Sequence, residues 1–101
     1  MLATEQFEAL GDATRREVMG ILLQEPRSVG EIAARLPVSR PAVSQHLKVL
    51  EKSGLVSHRA EGTRRIYSPS PSGLGELRKA IEQMWDETLA RFAVAADKEK
   101  S

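Results

Sequence analysis

Residues 39–56 read SRPAVSQHLKVLEKSGLV, the pattern of a capped helix followed by an abrupt stop. Ser39 is of the residue type that caps helix N-termini, and Pro41 is tolerated in a first turn. Gly54 stands where a helix ending near Ser53 needs its C′ residue. Val43, Leu47 and Leu50 recur at helical spacing and gather on one side of a wheel of about 100° per residue. Pro41, Ser44, Gln45, Lys48 and Lys52 turn away from them. A short helix therefore presents a row of hydrogen-bonding side chains outward. Taken one at a time these residues describe a solvated face, so their meaning depends on what flanks them.

Upstream, Thr4 is expected to cap a first helix in which Phe7 and Leu10 share a face and which Gly11 ends. Asp12 caps a second helix, ATRREVMGILLQ, whose Val18, Ile21 and Leu22 form an apolar stripe, and Pro26 stops it. Ser28 caps a third, VGEIAARL, and Glu31 three residues later completes a capping box. Pro37-Val38 is a tight break before Ser39. Two helices of these lengths joined by two or three residues fit a helix-turn-helix, whose second helix enters the DNA major groove. Helix-turn-helix turns often place glycine where this chain has Pro37, so its backbone path there must differ.

Downstream the periodicity changes. LVSHRA and RRIYS are short β-tolerant runs joined by Glu61-Gly62-Thr63, a hairpin with Arg59, Arg64 and Arg65 near its tip. His58, on the first of these strands, reads as ordinary surface. Ser70 and Pro71 open a last helix with apolar residues at Leu74, Leu77, Ile81, Met84, Trp85, Leu89 and Phe92. This order predicts a winged helix-turn-helix: mainly α with a small β-hairpin, about five helices plus a two-stranded wing. At 101 residues the chain reads as one domain over residues 1–98 with a tail at 99–101.

Charge is distributed to match. Net charge is only +1, yet residues 27–67 hold eight basic and three acidic side chains between two mildly acidic flanks. A basic module of this kind attracts a phosphate backbone. Glutamine and serine can hydrogen-bond base edges, and lysine can neutralise phosphate. No apolar run approaches the length of a membrane span, and the N-terminus, MLATEQFEAL, is acidic where a signal peptide is basic; a cytoplasmic protein is expected.

The segments ALGDATRREVMGILL, SVGEIAARLPVSRPAVSQHLKVLEKSGLV and RAEGTRRIYSPSP together resemble the ArsR family of bacterial winged-helix repressors over nearly the whole chain. The most specific part is SRPAVSQHLKVLEKSGLV, which is similar to the family's recognition helix and its exit into the wing. The resemblance implies that Ser39, Arg40, Ser44, Gln45 and His46 lie in the stretch meeting the operator, and the wheel adds Pro41 and Lys48 from the outward face. It places the hairpin residues Arg59, Arg64 and Arg65 on the flanking backbone or in the minor groove. It also implies a homodimer paired through the first and last helices. For His46 the wheel leaves two readings open, a partly buried structural histidine or a base contact.

The same residues exclude other classes. With two histidines, no cysteine and no glycine-rich phosphate loop, no catalytic constellation is found, and no enzyme is expected. Asp12 beside Arg15 and Arg16 is better explained by capping and helix charge. Many members of the resembled family sense metals, but the thiolate site near the third helix is impossible without cysteine, and the last helix lacks histidine. No metal or other cofactor is expected, and no effector is assigned. Along the last helix, Leu77, Ile81, Met84 and Trp85 make a stripe too broad to cover a small hairpin alone. With Phe7 and Leu10 they are the expected dimer interface. A winged helix serving as a protein–protein adaptor is the alternative, but an adaptor would present exposed apolar residues where this chain has Ser44, Gln45 and a basic hairpin.

Overall fold

A computed structural model describes the backbone of residues 2–100 and the side chains of residues 4–94. Five helices and a three-stranded antiparallel sheet follow in the order α1 (Leu2–Ala9), α2 (Ala13–Gln24), β1 (Arg27–Ser28), α3 (Val29–Ala33), α4 (Arg40–Lys52), β2 (Val56–Glu61), β3 (Arg64–Pro69) and α5 (Pro71–Lys100). Of the tail expected at 99–101, residues 99 and 100 close α5, and Ser101 lies outside the described residues.

Most of the expected caps form. The Asp12 carboxylate accepts from the Arg15 backbone N–H at 3.0 Å. Ser28 and Glu31 make a reciprocal capping box on α3, and the Ser39 hydroxyl accepts from Ala42 N–H at 3.3 Å. Thr4 is not a cap. It lies inside α1, because the leucine and alanine before it are strong helix formers and carry the helix back to Leu2.

Helix α3 is shorter than its pattern suggests. Beyond Ala33 the chain tightens into i→i−3 bonds, Arg35 N–H to Ile32 O at 3.0 Å and Leu36 N–H to Ala33 O at 3.4 Å. The cause is Pro37, whose ring disfavours α geometry at the residue before it. The turn is made without a left-handed residue, since the described positive-φ residues are Gly54 and Gly62 alone.

Gly54, at φ +82°, ends α4 in a Schellman motif. Leu55 N–H returns to Leu50 O and Gly54 N–H to Glu51 O, both at 3.0 Å. This corner seats the last helix. A Cβ on Gly73 would fall 1.8 Å from Gly54 O, so α5 can approach only through a glycine. Ser70 N–H bonds Leu55 O at 2.9 Å, and buried Gln6 of α1 donates its amide to Gly73 O at 3.1 Å.

The core lies between the helix-turn-helix and the sheet. Val18 and Leu22 of α2, Ile32 of α3, Val43, Leu47 and Leu50 of α4, and Leu55 are its fully enclosed members. The sheet order is β1-β3-β2, with Arg27 opposite Tyr67 and Ser28 opposite Ile66. Beyond the two strands expected of the wing, β1 adds a third on its inner edge. Two residues carry no alternation pattern, so this strand exists only because the end of α2 delivers it beside β3.

Leu77, expected at the dimer interface, is instead buried in the chain's own core, and Leu10 is half-buried against it. From Ile81 onward α5 leaves the body of the protein. Its 30 residues amount to about 45 Å of helix, within a longest dimension of 67 Å.

Candidate nucleic-acid interface

Helix α4 is fixed from its apolar side by Val43, Leu47 and Leu50, which orients every other residue on it. Arg40, Ser44, Lys48 and Glu51 then form one row facing the wing, and Pro41 and Gln45 begin the next row outward. The first row, the N-terminal turn of α3 and the tip of β3 enclose an open groove of about 1150 Å³ lined by Arg40, Lys48, Arg64 and Arg65 among others. That volume exceeds the usual small-ligand pocket, and four basic and two acidic side chains stand among its lining residues.

The expected site residues divide between this groove and its surroundings. Arg40 lies along α3, its guanidinium so close to Gly30 that a Cβ there would meet it at 2.6 Å. Ser44 and Lys48 line the groove, while Gln45 is exposed on the outermost row. Pro41 and Ser39 are exposed at the start of the helix, and the Ser39 hydroxyl is occupied by its cap. His46 is half-buried and lies near Asp12 rather than on the groove wall. The Asp12 carboxyl is held below its ordinary value chiefly by the Arg15 backbone hydrogen bond, with smaller help from the charges of Arg15 and His46. On the wing, the side chain of Arg65, whose backbone pairs with Ala60 across the hairpin, makes no hydrogen bond or ion pair among the described residues. Arg59 pairs with Glu61 at 3.3 Å and is not part of the groove lining.

Glu31 and Glu51 join the site without having been expected there, with Arg27 and His58 beside them. Arg64 donates to Glu31 Oε1 at 2.6 Å, joining the wing to the capping box of α3. The Glu31 carboxyl lies below its ordinary value, first because the Ser28 backbone N–H and hydroxyl bond it, then because Arg64 and Arg27 stand beside it. Arg27 is nine-tenths buried, 3.3 Å from Glu25 and 4.0 Å from Glu31. His58 is more than ordinary surface. Its Nδ1 is 2.6 Å from Glu51 Oε2 and its ring centroid 5.2 Å from that of Tyr67, so it ties β2 to the end of α4. Neither contact has a linear signature, because each spans a turn. Among the described residues no group of three or more His, Cys, Asp or Glu side chains converges as metal ligands would.

Beyond the groove, α5 exposes Ile81, Met84, Trp85, Leu89 and Phe92, and α1 exposes Phe7. No described helix is long and apolar enough to cross a membrane.

Comparison with known proteins agrees with this architecture. Residues 12–58 match the family model described as bacterial regulatory protein, arsR family. The HTH-type transcriptional regulator Rv2034 of Mycobacterium tuberculosis is 48% identical over 93 residues, covering 92% of this chain and 87% of that protein. An ArsR-like transcriptional regulator from Rhodococcus sp. RHA1 superposes with a TM-score of 0.81 at 32% identity, over 92% of this chain and 88% of the other. The winged helix-turn-helix DNA-binding domain of Mb0332 from Mycobacterium bovis, described as homodimeric, gives a TM-score of 0.70 at 28% identity, over 89% and 83% of the two chains. With relatedness of this extent joined to a capped helix-turn-helix and a basic wing, the chain belongs to the ArsR family of transcriptional regulators.

Proposed function

We propose that the protein is a homodimeric repressor that recognises an operator by sequence and occludes a promoter. The observation that carries this reading is the groove. It sets the polar row of α4, with Arg40, Ser44 and Lys48, against the wing cations Arg64 and Arg65, and leaves Gln45 outermost. On this reading α4 enters the major groove, where Gln45 and Ser44 meet base edges, and the wing follows the flanking backbone. His46 supports the helix by packing rather than by reading bases.

A single recognition helix makes few base contacts, so affinity comes from two half-sites held at fixed separation. The exposed residues Ile81, Met84, Trp85 and Leu89, with Phe7, form a large apolar surface for pairing of two subunits. The homodimeric description of Mb0332 supports the same assembly.

The test is to incubate the protein with fragmented DNA of its own genome at physiological salt and sequence what is retained. A few loci sharing a two-fold related element near promoters are expected, and transcription from them should fall when the protein is added. Retention of no DNA would favour an adaptor. Uniform retention would remove sequence recognition, and a rise in transcription would reverse the proposed role.

A further inference from the structure

The groove contains two carboxylates among its cations, and one of them holds a wing arginine. Glu31 Oε1 accepts from Ser28 N–H at 3.1 Å and from Arg64 at 2.6 Å. The cap requires only an acceptor at this position, since glutamine serves a capping box as glutamate does. The cap geometry of α3 can therefore form without the negative charge of Glu31, although the charge strengthens it. The charge is not needed to neutralise Arg27 alone either, because that guanidinium is closer to Glu25, at 3.3 Å against 4.0 Å. What the charge does is occupy Arg64, while Arg65 beside it has no such partner among the described residues.

We propose that Glu31 is a specificity-determining residue: it is the resting counter-ion of Arg64, surrendering it to phosphate only when α4 is seated on the correct bases. This rests on the reading of the groove as the DNA-binding face. Binding to arbitrary duplex is driven almost wholly by phosphate neutralisation. There Glu31 both repels the backbone and withholds one cation. The Arg64–Glu31 pair is exposed at both ends, 57% and 44%, so it is held weakly enough to exchange. At an operator the base contacts of α4 keep the wing against the backbone, and Arg64 transfers. Both kinds of site meet the charge of Glu31, but the phosphate contact of Arg64 is gained at the right one alone.

The experiment uses fluorescence anisotropy with a random-sequence duplex across a salt series. Glu31→Gln keeps the cap and removes the charge. It should bind this duplex about three- to tenfold more tightly, with a salt slope steeper by about one unit per protomer. In an Arg64→Ala background the same substitution should produce no steepening. With Glu31 intact, Arg64→Ala should flatten the slope clearly less than Arg65→Ala does, a comparison that does not depend on the glutamine variant folding. Unchanged or weaker binding by Glu31→Gln overturns the proposal, as does equal tightening without Arg64 or equal flattening by Arg64→Ala and Arg65→Ala. Duplex binding that is insensitive to Arg65→Ala would instead overturn the reading of the groove itself.

Discussion

Neighbouring side chains on this protein face very different demands. Gln45 is exposed on the outer row of α4 and its side chain makes no hydrogen bond among the described residues, whereas Ser39 six residues earlier is consumed by its cap. Gln45→Ala should cost about 1–3 kcal/mol per half-site on the true operator and relax discrimination between sequences. Arg65→Ala should weaken binding to all DNA and flatten the salt dependence by about one unit for each phosphate it no longer neutralises. Anisotropy with operator and scrambled duplexes separates the two. Specificity that survives Gln45→Ala but vanishes with Arg65→Ala would make the wing the reader of sequence. Gly73 poses the opposite problem, buried and pressed against backbone. Gly73→Ala would drive a methyl into Gly54 O at 1.8 Å, where no side chain can move aside. About 3 kcal/mol or more of stability should be lost, as read from urea denaturation. A variant within about 1 kcal/mol of wild type, on the scale ordinary for surface changes, would contradict so close an approach.

At the scale of elements, the short helices depend on their ends. Helix α3 has five residues, too few to persist without its capping box and the packing of Ile32. Its cap carboxylate and that of α2, Glu31 and Asp12, both titrate below their ordinary values of 4.5 and 3.8. A carboxyl whose folded value is depressed stabilises the fold fully above its unfolded value, and that contribution disappears as pH falls through the lower folded value. The urea midpoint should therefore be level with respect to these groups above about pH 5 and decline below about pH 4. Glu31→Gln should remove part of that decline while retaining the cap. A midpoint that rises on acidification through this range would refute the assignment. The wing likewise depends on its attachments, Arg64 to α3 and His58 to α4, one on each strand of the hairpin.

For the whole molecule, the decisive feature is the part of α5 that extends past the core. Trp85 is the only tryptophan, and it is 62% exposed in the isolated chain. If two subunits pair through this helix, dilution should lower the mass measured by light scattering and shift the Trp85 emission to the red together. Trp85→Glu, which would place an unpaired charge in the interface, should yield a monomer with an intact fold and much weaker operator binding. A wild type that is monomeric at micromolar concentration, with and without DNA, would remove the dimer.

What the amino-acid sequence determined on its own was whatever depends on near neighbours. Caps at Asp12, Ser28 and Ser39, the glycine stop at Gly54 and the apolar side of α4 all involve residues close along the chain, and each forms as the sequence implies. Those local signals were enough for the winged helix-turn-helix and for the outward row that includes Ser44, Gln45 and Lys48. Tertiary structure decided what depends on distant segments meeting. Strand β1 exists only against β3, Leu77 is enclosed only because α5 docks through Gly73 on Gly54, and Arg64 meets Glu31 across 33 residues of chain. A helical wheel reports which side a residue faces, but not which partner waits there. That is why the cations of the groove were legible in the sequence and its carboxylates were not.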